Sequence, residues 1–272
     1  MRGKTYKSGA PAHDYLEPPY SLREEIRSIR LHRNRLPYYG LDYNVDRSGV
    51  YKYERFFRPV MGSQTIVEML AGRTEPVAID LMAHPATLSE LLRKAKRPDG
   101  FGIAVQYGPV PLAEHDPNTN ITLVTGDLAF SRTWREVRMA LDKRRADLII
   151  ERSMAGIDNL PRHSAFYGAA MNRLWHMLKP DGGVMLIQGP VRAVVAQVGL
   201  GHTDDVIASW ARLLFENNID VSMSGACSHD FLVIKLERHP ESPATLPMLD
   251  KTQLMPQISY EDAIGLFARA RN

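Results

Sequence analysis

Only one cysteine, Cys227, occurs in 272 residues, which excludes an internal disulfide and any thiolate cluster for zinc or iron–sulfur. No run of about 18 apolar residues is present, so no membrane-spanning helix is expected. The opening Met1-Arg-Gly-Lys-Thr-Tyr-Lys7 lacks an apolar stretch and a small-residue cleavage site. No secretory signal is therefore expected, and a reducing, cytoplasmic setting is the default expectation. Internal repeats and low-complexity tracts are also missing. Net charge is slight, with 34 Lys/Arg against 31 Asp/Glu. A hydrophobic fraction of 44% and a charged fraction of 24% remain, as in an ordinary globular chain.

The little excess charge is unevenly placed. Residues 1–60 hold twelve Lys/Arg against seven Asp/Glu and eight of the eleven tyrosines, whereas the rest holds twenty-two against twenty-four. Composition thus separates a basic, Tyr-rich N-terminal extension (1–61) from a near-neutral body (62–238) and a tail (239–272) containing Pro240, Pro243, Pro247 and Pro256. In the extension, Ser21-Leu-Arg-Glu24 with Leu22, Ile26 and Ile29 predicts a helix over about 22–35, with Arg23, Arg27, Arg30 and Arg33 in a strip beside the apolar one. The stretches 38–43 and 51–57 read as loop, rich in aromatic and basic side chains. A helix is predicted over 63–70, stopped by Gly72.

From Pro76 onward strand and helix patterns alternate, which predicts a mainly parallel sheet with helices on both faces, a doubly wound α/β fold. Strands are predicted at 77–81, 102–106, 121–125, 147–151 and 183–188. The helices between them fall at about 87–96, 131–143 and 164–178, with another over 203–217. Residues 219–225 and 230–236 face each other across a short turn and predict a closing antiparallel hairpin, for seven strands in all. A short helix near 261–270 completes the reading.

The most informative stretch is Val77-Ala-Ile-Asp80-Leu-Met82-Ala83-His84-Pro-Ala86-Thr87-Leu-Ser-Glu90. It reads as a buried strand ending in an acid, a sharp bend, and a helix opened by a Thr87/Glu90 capping box. A helix N-terminus facing the carboxyl end of a parallel strand is where α/β proteins hold anionic or nucleotide ligands. No glycine occurs between Asp80 and Thr87.

Five parallel strands, a further helix and a closing hairpin resemble the class I S-adenosylmethionine-dependent methyltransferases over about residues 62–238. Val77–Leu81 looks like that family's first strand. Ile121-Thr-Leu-Val-Thr-Gly126-Asp127 looks like its third, ending in the acid that commonly lies by the adenine. Ala146-Asp-Leu-Ile-Ile-Glu151 looks like the fourth, and Leu178-Lys-Pro-Asp-Gly-Gly-Val-Met-Leu-Ile187 is similar to the "LKPGG" turn and fifth strand. The resemblance implies S-adenosylmethionine as cofactor, with contacts from Asp80, Met82, Ala83, His84, Gln106, Asp127, Leu128 and Glu151.

Three departures stand beside it. The usual Gly-x-Gly-x-Gly bend is Met82-Ala-His-Pro-Ala86 here. The second strand ends in the amide Gln106 where the family has a ribose-binding acid. Glu151-Arg-Ser-Met-Ala-Gly156 replaces the Asn/Asp-Pro-Pro-Tyr/Phe motif of exocyclic-amine methylases. No general base is identified; Glu151, His84 and His163 are the candidates.

Plainer roles compete at each position. Asp80 would equally serve as a structural acid, Asp127 as a cap for the helix at Ser131, and Glu151 as an ion-pair partner of Arg152. His163 and His202 read as packing or capping neighbours, Cys227 has no sequence-near base, and Trp134, Trp175 and Trp210 read as core. Two functions follow: a methyltransferase of unidentified acceptor, or a catalytically inactive methyltransferase-like module binding a protein or nucleic-acid partner through its basic N-terminus. A nicotinamide enzyme is disfavoured by the missing Gly-x-Gly-x-x-Gly.

Overall fold

The structure, a computed structural model, describes residues 49–81, 85–106, 120–126, 128, 131–151, 164–191, 203–226 and 231–247. The predicted helices at 22–35 and 261–270, the loop at 38–43, His163, His202 and Cys227 lie outside these residues.

Seven strands form one sheet: β1 (Val77–Asp80), β2 (Phe101–Gln106), β3 (Ile121–Thr125), β4 (Leu148–Glu151), β5 (Gly183–Val191), β6 (Ile219–Ala226) and β7 (Phe231–Arg238). Their spatial order is β3-β2-β1-β4-β5-β7-β6. Strands β1 to β5 are mutually parallel. β7 runs antiparallel to both β5 and β6, so the reversed strand sits inside the sheet and β6 forms the edge. The alternation read from the sequence produces this arrangement, because parallel neighbours need long crossover connections, usually helical.

Helices cover both faces. On one side lie α1 (Gly49–Met61), α2 (Ile66–Ala71) and α3 (Pro85–Lys94), whose buried residues join Ala78, Ala104, Leu148, Ile150, Val184 and Leu186 in one core. On the other lie α4 (Ser131–Leu141), α5 (Ser164–Met177) and α6 (Thr203–Glu216), packed on Ile79, Ile103, Ile149, Met185 and Ile187. Alternate residues of each strand feed opposite cores, so the β-strands read as continuous apolar runs. Trp134, Trp175 and Trp210 are all fully buried in the second core, as expected.

Two sequence expectations are corrected. Residues 51–57 are helical, not loop: Val50, Tyr53, Phe56, Phe57, Val60 and Met61 are buried at helical spacing along α1, which makes it part of the sheet's core. Pro59 lies in the last turn on the exposed side and costs α1 the one bond that its missing N–H would have made. Thr87 and Glu90 do not form a capping box. α3 starts two residues earlier, with Pro85 first, where a missing N–H costs nothing; Thr87 is buried inside the helix. Glu90 instead accepts from Lys94 Nζ at 2.7 Å and from the Val50 amide at 3.3 Å, fastening α1 to α3. The capping box actually present opens α2. There Thr65 and Glu68 exchange bonds of 3.0 and 2.8 Å, while the Glu54 carboxylate accepts from the Ile66 and Val67 amides at 3.1 and 2.9 Å.

At the amino ends of the strands the "LKPGG"-like turn explains itself. Lys179 Nζ reaches both oxygens of buried Asp147 at 2.7 and 2.8 Å, and Asp147 Oδ2 also accepts from the Val77 amide at 2.8 Å. Gly182 has φ +70°, a left-handed conformation that favours glycine, and Arg73 Nη2 donates to its carbonyl at 2.6 Å. Past β7, residues 239–247 are strapped to α5 and α6. Trp175 Nε1 donates to the Pro243 carbonyl at 2.9 Å, Trp210 Nε1 to that of Pro247 at 2.8 Å, and Asn172 Oδ1 accepts from the Leu246 amide at 2.7 Å.

Candidate functional site

The carboxyl edge of the sheet is uneven, and the register gives its shape. Asp80, the last residue of β1, is level with Ala104 of β2 and Ile150 of β4. β2 continues two residues beyond that level to Gln106, which pairs with Thr125 at the end of β3. β4 stops one residue later at Glu151, level with Ile187, while β5 runs on to Val191 through a bulge after Gln188. The two central strands are therefore recessed between longer neighbours, by roughly 7 Å on the β2 side at about 3.3 Å per residue. The chain reverses its direction of winding between β1 and β4, the topological switch point where open α/β sheets place their ligands.

Two carboxylates mark the floor of this notch. Asp80 is 0% exposed and Glu151 is 1% exposed, each at the last position of its strand. They lie on adjacent strands, yet register parity separates them. Asp80 shares the face of Ile150, toward α1–α3, whereas Glu151 shares the face of Ile149, toward α4–α6. Buried acids on the two faces of one strand-end gap flank anything seated there; they do not form a side-by-side acid pair.

The helix that follows β1 adds a dipole. Only residues 81–84 separate Asp80 from the start of α3, so the helix N-terminus is held close to the notch. Leu81 is buried and its amide donates to the Ile150 carbonyl at 3.0 Å, extending the β1–β4 pairing by one bond. Because α3 opens on Pro85, its first turn has one amide fewer than usual to offer an anion. Met82, Ala83 and His84 lie outside the described residues, as does Asp127; of Gln106 only the backbone position is described.

Both sides of Asp127 are nonetheless fixed. A Cβ on Gly126 would meet Thr133 Oγ1 at 2.5 Å, so this position requires the close approach only glycine allows. Leu128 is buried, and its carbonyl accepts from Trp134 Nε1 at 2.7 Å. The loop after β3 is thus tied from below by the first turns of α4. Sequence reasoning read Trp134 as core, which it is, and missed that its polar atom is spent on this loop. The signal available was an indole six residues after Leu128, since a buried Trp N–H needs a partner.

Buried Arg173, on α5, lies with its guanidinium 5.9 Å from the Trp134 ring. Burial pushes its pKa down to about 10, with the neighbouring Arg138 charge adding to the effect. Among the described residues no group of three or more His, Cys, Asp or Glu is placed to hold a metal ion, and no helix is long and apolar enough to cross a membrane.

Five parallel strands, a helix, and a hairpin that inserts its second strand beside the fifth complete the pattern expected from the sequence. The chain has the class I methyltransferase-like fold. No family model matches it, and no curated protein matches it in sequence. Among solved structures it is similar to the N-methyltransferase NodS from Bradyrhizobium japonicum WM9 in complex with S-adenosyl-L-homocysteine, with 15% identity, TM-score 0.43, and coverage of 72% of this chain and 91% of that one. It is also similar to the O-methyltransferase TomG from Streptomyces achromogenes, solved with S-adenosylmethionine, at 10% identity and TM-score 0.39, covering 70% of this chain and 89% of that one. A third is the precorrin-6y C5,15-methyltransferase from Geobacter metallireducens GS-15, at 14% identity and TM-score 0.36, covering 66% and 90%. Likenesses this distant carry no functional weight, and the fold assignment rests on strand order and register.

Proposed function

We propose that this protein is an S-adenosylmethionine-dependent methyltransferase whose acceptor remains to be identified. The observation that carries the reading is the notch at the switch point, bounded by Asp80, Glu151 and the N-terminus of α3. When bound, the cofactor supplies a methyl group on a sulfonium, and the chain has to position and desolvate it for in-line displacement. Asp80 and the bend Met82, Ala83 and His84 would hold the methionine portion. Gln106 would meet the ribose through an amide, and Asp127 with Leu128 would border the adenine. Glu151, on the opposite face from Asp80, would contact the cofactor or act as the general base. Small Ala83 and Ala86 would permit close approach in place of the family's glycines.

Calorimetry with S-adenosylmethionine and S-adenosylhomocysteine tests the reading. Micromolar binding that weakens at least tenfold in Asp127→Ala supports it; no binding at millimolar cofactor ends it. One observation favours a second reading, an inactive methyltransferase-like module. The bend lacks glycine, which limits close approach of its backbone to a ligand, and its helix starts on Pro85, which removes one donor. That module would bind a partner through the basic segment 1–61, and retention of a partner without cofactor binding would select it.

A further inference from the structure

The body of the protein hides a charge asymmetry denser along the chain than that of its N-terminal extension. Residues 131–145 contain six cations, Arg132, Arg135, Arg138, Lys143, Arg144 and Arg145, against two acids, Glu136 and Asp142. The rest of the chain, N-terminal extension included, holds twenty-eight Lys/Arg against twenty-nine Asp/Glu, so these fifteen residues are a concentrated basic spot. All six cations are exposed.

The fold arranges them in a line. α4 buries Thr133, Trp134, Val137 and Leu141 against the sheet, which turns Arg132, Arg135 and Arg138 outward at three-residue spacing. Met139 stands among them at 77% exposure, one of the most exposed large apolar side chains. Because α4 follows β3, it starts at the carboxyl edge beside the notch and runs back toward the amino edge. There Lys143, Arg144 and Arg145 continue the line into β4.

Neutralisation is sparse along it. Among the described residues Arg132 is the one member with an acidic partner, Glu136 at 2.8 Å, while Arg144 lies 4.0 Å over the Phe101 ring. Further arginines press in from behind. Burial first, and then the Arg138 charge, lowers the pKa of Arg173; burial and then Arg145 lower that of Arg238. Like charges gathered this way repel one another, and a polyanion laid along them relieves that repulsion.

We propose that the outer face of α4 and its turn into β4 dock a nucleic-acid backbone, with Arg135, Arg138, Lys143 and Arg145 on phosphates and Met139 against the sugar or base. The spacing suits it. From Arg132 to Leu141 the helix rises about 14 Å, over which a single strand presents roughly four phosphates. The line also leads to the notch, so a strand bound along it reaches the recessed ends of β1 and β4. This docking surface stands independently of cofactor binding.

The test uses the full chain and a fluorescein-labelled single-stranded RNA of about 20 nucleotides, titrated by anisotropy from about 50 to about 200 mM salt. The fourfold variant Arg135→Gln, Arg138→Gln, Lys143→Gln, Arg145→Gln should bind at least tenfold more weakly. Its salt slope should fall by about 3, near 0.7 for each lost phosphate contact. A control with the same charge loss on the other side of the sheet and outside segment 1–61, Arg93→Gln, Lys94→Gln, Lys96→Gln, Arg97→Gln, should bind within threefold of the original. Equal losses in both variants, an unaffected strip variant, or no RNA binding by the original chain overturns the proposal. So does poly-L-glutamate competing as well as RNA charge for charge, which would point to an acidic protein. Circular dichroism checks that both variants fold. Failure of S-adenosylmethionine to bind would count against the proposed function and leave this surface standing.

Discussion

The two edges of the sheet are built from the same residue types to opposite ends. At the amino edge a buried acid, Asp147, is held by Lys179 and the Val77 amide. Arg73 and Arg238 add bonds to backbone carbonyls of the same region, at Gly182 and at Trp175. At the carboxyl edge the buried acids Asp80 and Glu151 stand where their strands stop. One edge uses its carboxylate to close the structure, and the other holds its carboxylates at strand ends, where we propose the cofactor binds. Stability and binding should therefore respond separately to substitutions that look alike on paper.

The largest expected effect lies at the closed edge. Lys179→Met leaves Asp147 buried without its cation and should lower the unfolding free energy by about 2–3 kcal/mol, read from urea transitions, with cofactor affinity unchanged. A loss below about 1 kcal/mol would mean the edge is not fastened there. At the open edge the pattern should invert. Asp80→Asn should raise the S-adenosylmethionine dissociation constant at least tenfold while changing stability by under about 1 kcal/mol. A destabilisation as deep as that of Lys179→Met would erase the distinction between the edges.

An intermediate case sharpens the comparison. Trp134→Phe keeps the ring in the core but frees the Leu128 carbonyl. It should cost about 1 kcal/mol in thermal unfolding and weaken cofactor binding severalfold. Unchanged binding would show that the loop after β3 holds itself.

The smallest effect concerns Glu90. The Lys94 side chain foremost, and the Val50 amide, hold its carboxyl below the ordinary value of 4.5. Since the folded value is the lower one, this contribution is complete above about pH 4.5 and is lost as pH falls through the folded value. Glu90→Gln should be less stable by about 0.5 kcal/mol at pH 6, with the gap closing toward pH 3. A gap that widens on acidification would contradict that sign.

Much of this architecture was legible because parallel strands buried on both faces must be apolar throughout, and Val77–Ile79, Leu148–Ile150 and Val184–Ile187 are. The turn at Lys179–Gly183 was legible for a related reason, since a left-handed glycine and a lysine for Asp147 leave a fixed signature. α1 was misread because aromatic and basic residues around Pro59 dominate its composition, whereas the deciding fact is which of them face the sheet. The start of α3 was misplaced because a local capping pattern at Thr87 and Glu90 fits the sequence equally well. Only tertiary structure shows Glu90 engaged with α1. At the site, Asp80 and Glu151 were picked out correctly as strand-terminal acids. Their separation onto opposite faces depends on register, which a single chain read in isolation does not display.

The placement of β7 sets an order of events during synthesis. β6 pairs with β7 alone, and β7 closes the outer side of β5. On a ribosome, the half-finished sheet must therefore wait with β5 open and β6 unattached until Arg238 has emerged, although the strands β1 to β5 can already have assembled. The nascent chain carries an unfilled slot through that interval, so slowing translation across residues 219–238 should raise aggregation more than slowing it anywhere earlier.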